Sequence, residues 1–153
     1  MIGPEPRVAL LDTSMVASAV LPDEPWHAQS VELLASVAKG QIEGVVAPTF
    51  AFELRSTLVR AAQRRRITWE GAAQAIATLD AMEVLTATVP LEDAGLLEIC
   101  RRYGISWADA YPVLVAMHMA IPLVTADNRL VRALQGSDVW VESILDRPAE
   151  EDQ

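Results

Sequence analysis

Two spacings of hydrophobic residues alternate along this chain. Short apolar runs are followed by longer stretches in which apolar residues recur every third or fourth position. Val8-Ala9-Leu10-Leu11 predicts a buried strand, and Asp12-Thr13-Ser14 closes it with residue types that suit a helix start. A short helix is expected from Ser14 to Val20, then a loop, Leu21-Pro22-Asp23-Glu24-Pro25. From Trp26 to Ala38 the pattern is amphipathic, with Val31, Leu34, Ala35 and Ala38 on one face and Gly40 as a stop. Gly44-Val45-Val46-Ala47 predicts the second strand, and Pro48-Thr49 opens a helix reaching Arg64. Thr68-Trp69-Glu70 opens another, with Ala72, Ala75, Ile76 and Leu79 at helical spacing. Val84 to Thr88 alternates as a strand does; Leu91 to Tyr103 is helical again, and Gly104 ends it. Ser106 caps a helix to Ala120, Pro122 to Thr125 is a strand, Asp127 to Leu134 a short helix, and Val139-Trp140-Val141 a last strand.

Strands alternating with helices imply a mainly parallel sheet covered on both faces, a compact three-layer α/β/α domain. With 153 residues, 52% of them hydrophobic, the chain has material for one core. Residues 1–146 are expected to form that domain, and 147–153 an acidic, apolar-poor, mobile tail. Residues 1–7 hold two prolines and an acid, unlike a signal peptide, and no apolar run is long enough to span a membrane, so a cytoplasmic protein is expected. Cys100 is the only cysteine, which excludes an intrachain disulfide and a Cys-rich zinc site and suits a small core residue. The balance of 12 basic against 21 acidic residues, net −9, argues against a broad basic surface for nucleic acid or anionic lipid. It leaves room for chemistry concentrated at one point.

That chemistry is suggested by four acids at strand-to-helix junctions: Asp12, Glu53, Asp109 and Asp127. A parallel sheet gathers the C-terminal ends of its strands along one edge, so acids far apart in sequence converge there. Carboxylates brought together repel one another, and a divalent cation offsets that repulsion. Each acid also has a plain structural reading. Asp12 and Asp127 are good helix caps, and Glu53 suits the positive end of a helix dipole. Ser106-Trp107-Ala108-Asp109 matches a capping box. Four such junctions on one sheet edge favour the functional reading. Arg60 and Arg64 fall within about 20° of Glu53 on an ideal helical wheel, as contacts to a phosphate backbone would require; a solvated helix end is the plainer account of Arg64-Arg65-Arg66.

Leu11-Asp12-Thr13-Ser14, Phe52-Glu53-Leu54, Ser106-Trp107-Ala108-Asp109-Ala110 and Val124-Thr125-Ala126-Asp127-Asn128-Arg129-Leu130, in that order, resemble PIN-domain ribonucleases, above all the VapC-type toxins of toxin–antitoxin pairs. The resemblance runs from Val8 to about Trp140. It implies that Asp12, Glu53, Asp109 and Asp127 surround Mg²⁺ or Mn²⁺ and that Thr125 orients a water or carboxylate. It further implies RNA as substrate, a homodimer, and inhibition by a small VapB-like antitoxin whose C-terminal segment blocks the site. Pro112 departs from the family's plain helix, and the charge of −9 leaves the grip on RNA to be explained.

Two alternatives differ in class. A haloacid-dehalogenase-type phosphohydrolase also starts with Asp after a strand. It wants a second acid two residues on, where this chain has Ser14, and a phosphate-steadying lysine, of which Lys39 is the only one. A non-cleaving PIN-like module that binds RNA or antitoxin would have no reason to keep four mutually repelling acids. Glycine-rich phosphate loops and nucleophile elbows are absent. His27 has no partner at ligand spacing, His118 falls on the helix face opposite Asp109 and suits core or interface, and the four dispersed tryptophans suggest core or interface packing.

Overall fold

A computed structural model describes residues 5–90 and 92–146. The tail 147–153 and Leu91, where the sequence predicts the start of the fifth helix, lie outside the described residues. The chain runs β1 (Arg7–Leu11), α1 (Thr13–Val20), α2 (His27–Ala38), β2 (Ile42–Val46), α3 (Phe50–Gln63), α4 (Trp69–Asp80), β3 (Leu85–Thr86), α5 (Asp93–Tyr103), α6 (Trp107–Met119), β4 (Leu123–Thr125), α7 (Asn128–Ala133) and β5 (Val141–Ser143), then a 3₁₀ turn, Ile144–Asp146. The five strands form one sheet in the order β3-β2-β1-β4-β5, every pairing parallel. This is the expected α/β/α architecture.

Side chains of the strands alternate between two cores. Ala9, Leu11, Val46 and Val124 face the layer of α1–α4, against Met15, Leu33, Leu54 and Leu58. Leu10, Val45 and Leu123 face α5–α7, against Leu96, Val113 and Leu130. Each large aliphatic side chain so buried contributes about 1.5–3 kcal/mol relative to exposure. Gly44 shows how tightly the first core is filled. A Cβ there would stand 3.0 Å from Leu11 Cδ1 and 3.2 Å from both Val37 Cγ1 and Val84 Cγ1.

Differences from the sequence reading are local. β2 starts two residues before Gly44 and stops before Ala47, because its register is set by Arg7↔Ile42 on β1. The last strand begins at Val141, where the Leu123↔Val141 pair starts; Val139 is buried ahead of it, and Trp140 contributes only its carbonyl to Leu123 N, its ring being 57% exposed. Trp69 and Trp107 are exposed too, so packing in this core accounts only for Trp26. His118 is exposed and Cys100 half-buried. Helical bonding in α6 begins with Ala110 N to Ser106 O, so Pro112 removes the donor that Ala108 O would otherwise receive. Among the described residues no helix is long and apolar enough to cross a membrane.

The topology places the site. From the central β1 the chain builds outward through β2 and β3 on one side, then returns to add β4 and β5 on the other. The connections leaving β1 and β4 therefore diverge, opening a crevice at the C-terminal ends of those two strands.

Candidate active site

An open pocket of about 550 Å³ occupies that crevice, and Asp12, Glu53, Asp109 and Asp127 all line it. Asp12 leaves the end of β1, Glu53 lies in the first turn of α3, Asp109 in the first turn of α6, and Asp127 caps α7. Arg60 lines it as well, with its guanidinium 3.2 Å from Thr57 Oγ1. Arg64, the helix C-cap, does not line it. The wheel angle that groups the two arginines ignores the extra turn of helix that carries Arg64 about 6 Å further along the axis.

Hydroxyl groups knit the acids together. Ser14 Oγ and Thr125 Oγ1 each donate to Asp12 Oδ2, both at 2.6 Å. Those hydroxyls accept in turn from backbone: Ala126 N reaches Ser14 Oγ at 3.1 Å, and Asp127 N reaches Thr125 Oγ1 at 3.0 Å. Asp12 N also bonds Val124 O at 3.0 Å. The loop after β4 is thus tied to the loop after β1, and Thr125 is fully buried in making the tie. Thr13 Oγ1 donates to Glu53 Oε2 at 2.9 Å, joining α1 to α3.

The two readings of each acid now separate. Asp127 is a helix cap, its Oδ1 accepting from Arg129 N at 2.8 Å and Leu130 N at 3.3 Å. Asp109 takes part in a cap through Ser106, whose Oγ accepts from Asp109 N at 3.1 Å and donates to Asp109 Oδ2 at 2.8 Å. Asp12 occupies an N-cap position yet its side chain caps nothing. Burial pushes its carboxyl above the ordinary value; the Ser14 and Thr125 hydroxyls pull it back in part, and Asp109 and Glu53 add repulsion. The Asp12 side chain instead accepts from Ser14 and Thr125, holding one oxygen between the loops after β1 and β4.

Among the lining residues that sequence reasoning passed over, two stand out. Glu24, from the loop before α2, adds a fifth carboxylate, held at 2.6 Å by Arg66, which also takes Asp23 in a two-pronged bond at 2.8 Å. Arg66 holds the Asp23 carboxyl below its ordinary value, chiefly by hydrogen bonding. The prolines around Glu24 marked a loop but not its destination. The other is Ser18, buried on α1 with an Oγ that has no hydrogen-bond partner among the described residues. A buried polar atom of that kind calls for a water or a ligand oxygen.

This donor set fits a hard divalent cation. Each of the four acids commits one oxygen to a hydroxyl or amide donor. Among the described residues no three of them are arranged to ligate one ion directly. Mg²⁺ is suited by that arrangement, since it usually keeps several waters and takes one or two carboxylates.

The PIN domain family model matches residues 9–134. No curated protein sequence matches the chain. Among solved structures, PAE2754 from Pyrobaculum aerophilum superposes with a TM-score of 0.66 at 16% identity, over 91% of this chain and 90% of that one. FitAcB from Neisseria gonorrhoeae gives 0.62 at 18% identity, over 91% and 99%. VapBC2 from Rickettsia felis, bound to a DNA fragment from its promoter, gives 0.60 at 14% identity, over 89% and 98%. These likenesses show a shared fold.

Proposed function

Since the chain belongs to the PIN domain family, we propose that it is a metal-dependent endoribonuclease, the toxin of a toxin–antitoxin pair acting in the cytoplasm. The observation that carries this reading is Asp12, a partly buried carboxylate with a raised pKa that caps no helix and faces three further acids across one pocket. Asp12 and Asp109 would hold Mg²⁺ or Mn²⁺ directly, with Asp127 and Glu53 engaged through water. When bound, the ion supplies Lewis acidity, making a water more acidic and offsetting negative charge on the phosphate.

The chain's own residues divide the remaining work. Ser14 and Thr125 fix one oxygen of Asp12 and leave the other for the cation. Glu53, steadied by Thr13, is the group that orients the attacking water and takes its proton. Arg60 contacts the phosphate beside the scissile one, a local cation that answers the acidic net charge.

For partners we propose RNA as substrate, a second copy of the chain, and a small VapB-like antitoxin, the last by analogy with VapBC2. The antitoxin's surface is an apolar groove of about 500 Å³ between α1, α2 and α4, where Val20, Val31, Leu34, Ala75 and Leu79 present their side chains. The helix faces singled out from their spacing thus meet in one place.

A second reading, a non-cleaving PIN-like module, would keep the same pocket and apolar groove and bind without cutting. Calorimetric titration with Mg²⁺ and Mn²⁺, beside cleavage of a mixed RNA pool, separates the two. The nuclease binds metal and cuts, the module binds without cutting, and Asp12→Asn and Asp109→Asn lose both properties only if the acids form the site.

A further inference from the structure

Phe52 is 76% exposed, more than any other large hydrophobic side chain among the described residues, and it lines the acid pocket. It does nothing for the core. The buried face of α3 is Leu54, Leu58, Ala61 and Ala62, and Phe50 is the aromatic of this helix that packs against them. An exposed phenyl ring next to a catalytic carboxylate needs another reason.

The side of α3 that faces the pocket supplies one. Phe52, Ser56 and Arg60 follow one another at intervals of four, with Glu53 and Thr57 alongside, and all five line the pocket. Along about 12 Å of helix this face carries an aromatic ring at one end, hydroxyls in the middle and a cation at the other. We infer that this stripe is a track for unpaired RNA, in which Phe52 stacks on the base next to the scissile phosphate while Arg60 holds a neighbouring phosphate. The inference rests on the ribonuclease reading and adds to it a residue that holds a base beside the cut. Every base has a π-face, so such a ring binds tightly without choosing sequence, and bases are free to stack on it only where they are unpaired. A protein segment that covered Phe52 would have to bury Glu53 and Arg60 with it and would compete with RNA for this face, so it does not by itself account for an exposed ring. The surface that suits a protein is the apolar groove around Val31 and Ala75.

The test uses the full chain in EDTA, so that RNA is bound without being cut. A short fluorescent single-stranded RNA is titrated with wild type, Phe52→Ala, Phe52→Leu and Phe52→Trp. Stacking predicts that the Ala and Leu variants each lose about tenfold or more in affinity and that Trp retains it. A series of RNAs, each with one abasic position, then locates the base: at one position the abasic loss and the Phe52→Ala loss do not add. Equal binding by Phe52→Leu and wild type, or additive losses at every position, overturns the inference. A change from dimer to monomer in Phe52→Ala with RNA binding intact overturns it too, and assigns the ring to a second copy. The nuclease reading is scored separately. Wild type that shows the Phe52 effect but never cuts with metal keeps the track and loses the enzyme. Wild type that cuts while Phe52→Leu binds normally does the reverse.

Discussion

In the acid pocket each of the four acids is tied to a hydroxyl or an amide, whereas the groove between α1, α2 and α4 is lined by Ala, Val, Leu and Met, with Gln74 and Thr78 as its polar side chains. The pocket draws residues from opposite ends of the sequence, Thr125 reaching Asp12 across 113 positions, and depends on the divergence of the chain at β1 and β4. The groove is built from the outward surfaces of helices whose inner faces already fill the core. One region holds polar groups in fixed directions, as chemistry on a charged phosphate requires. The other offers area without direction, as docking of an amphipathic segment requires. In the proposed function, catalysis and antitoxin docking would therefore draw on different surfaces, and substitutions should separate them.

The largest separation is expected at Asp12. Asp12→Asn should lower RNA cleavage by more than about 100-fold, since losing a metal ligand exceeds the 10- to 100-fold effect of losing a residue that supports one. Binding in the groove should be untouched, which co-purification with the product of an adjacent small reading frame would check. Next comes the converse. Val31 is 43% exposed in the groove, so Val31→Glu should fold normally, cut RNA at the wild-type rate, and weaken inhibition by that same product about 30-fold. Loss of cleavage in Val31→Glu would mean that the two regions are coupled.

A smaller effect tests the hydroxyl network. Thr125→Val removes one donor to Asp12 and should reduce cleavage by about tenfold, with most of the loss recovered at high Mn²⁺ if Thr125 acts through metal affinity. The smallest is a stability effect with a defined sign. The Asp12 carboxyl lies above its ordinary value of 3.8 in the folded protein. The stability linked to its protonation is therefore full below 3.8 and is lost as pH rises through the folded value. At neutral pH in EDTA, Asp12→Asn should melt a few degrees above wild type, and the gap should close below about pH 4. Added Mg²⁺ should raise the melting temperature of wild type only. A variant that melts below wild type in EDTA would show that Asp12 serves the fold.

How far these regions were legible in the sequence follows from their construction. Asp12 and Asp127 stand at strand-to-helix junctions that the change of hydrophobic period marks. Asp109, expected at such a junction, instead follows the turn between two helices, α5 and α6, and reaches the pocket from there. Glu53 and Arg60 were legible through helical spacing, but the same spacing also grouped with them Arg64, which does not line the pocket, because a wheel records angle and not height. Glu24 was invisible, since a loop has no period and its path is set by Arg66 on a distant helix end. Phe52 was hidden for another reason. Its motif, Phe52-Glu53-Leu54, drew attention to the acid, and only the register of α3, fixed by Leu54 and Leu58, turns the ring outward. Strand ends such as Ile42 and Val141 depended on pairing partners, which no local pattern states.

The most direct test of the central claim is cleavage of a mixed RNA pool by the purified protein with Mg²⁺ or Mn²⁺ and with EDTA, run beside Asp12→Asn and Val31→Glu. The account predicts cleavage that requires metal, vanishes in Asp12→Asn and persists in Val31→Glu. Cleavage that survives EDTA, or persists in Asp12→Asn, would contradict it, because the acids would then be caps and supports with the chemistry elsewhere.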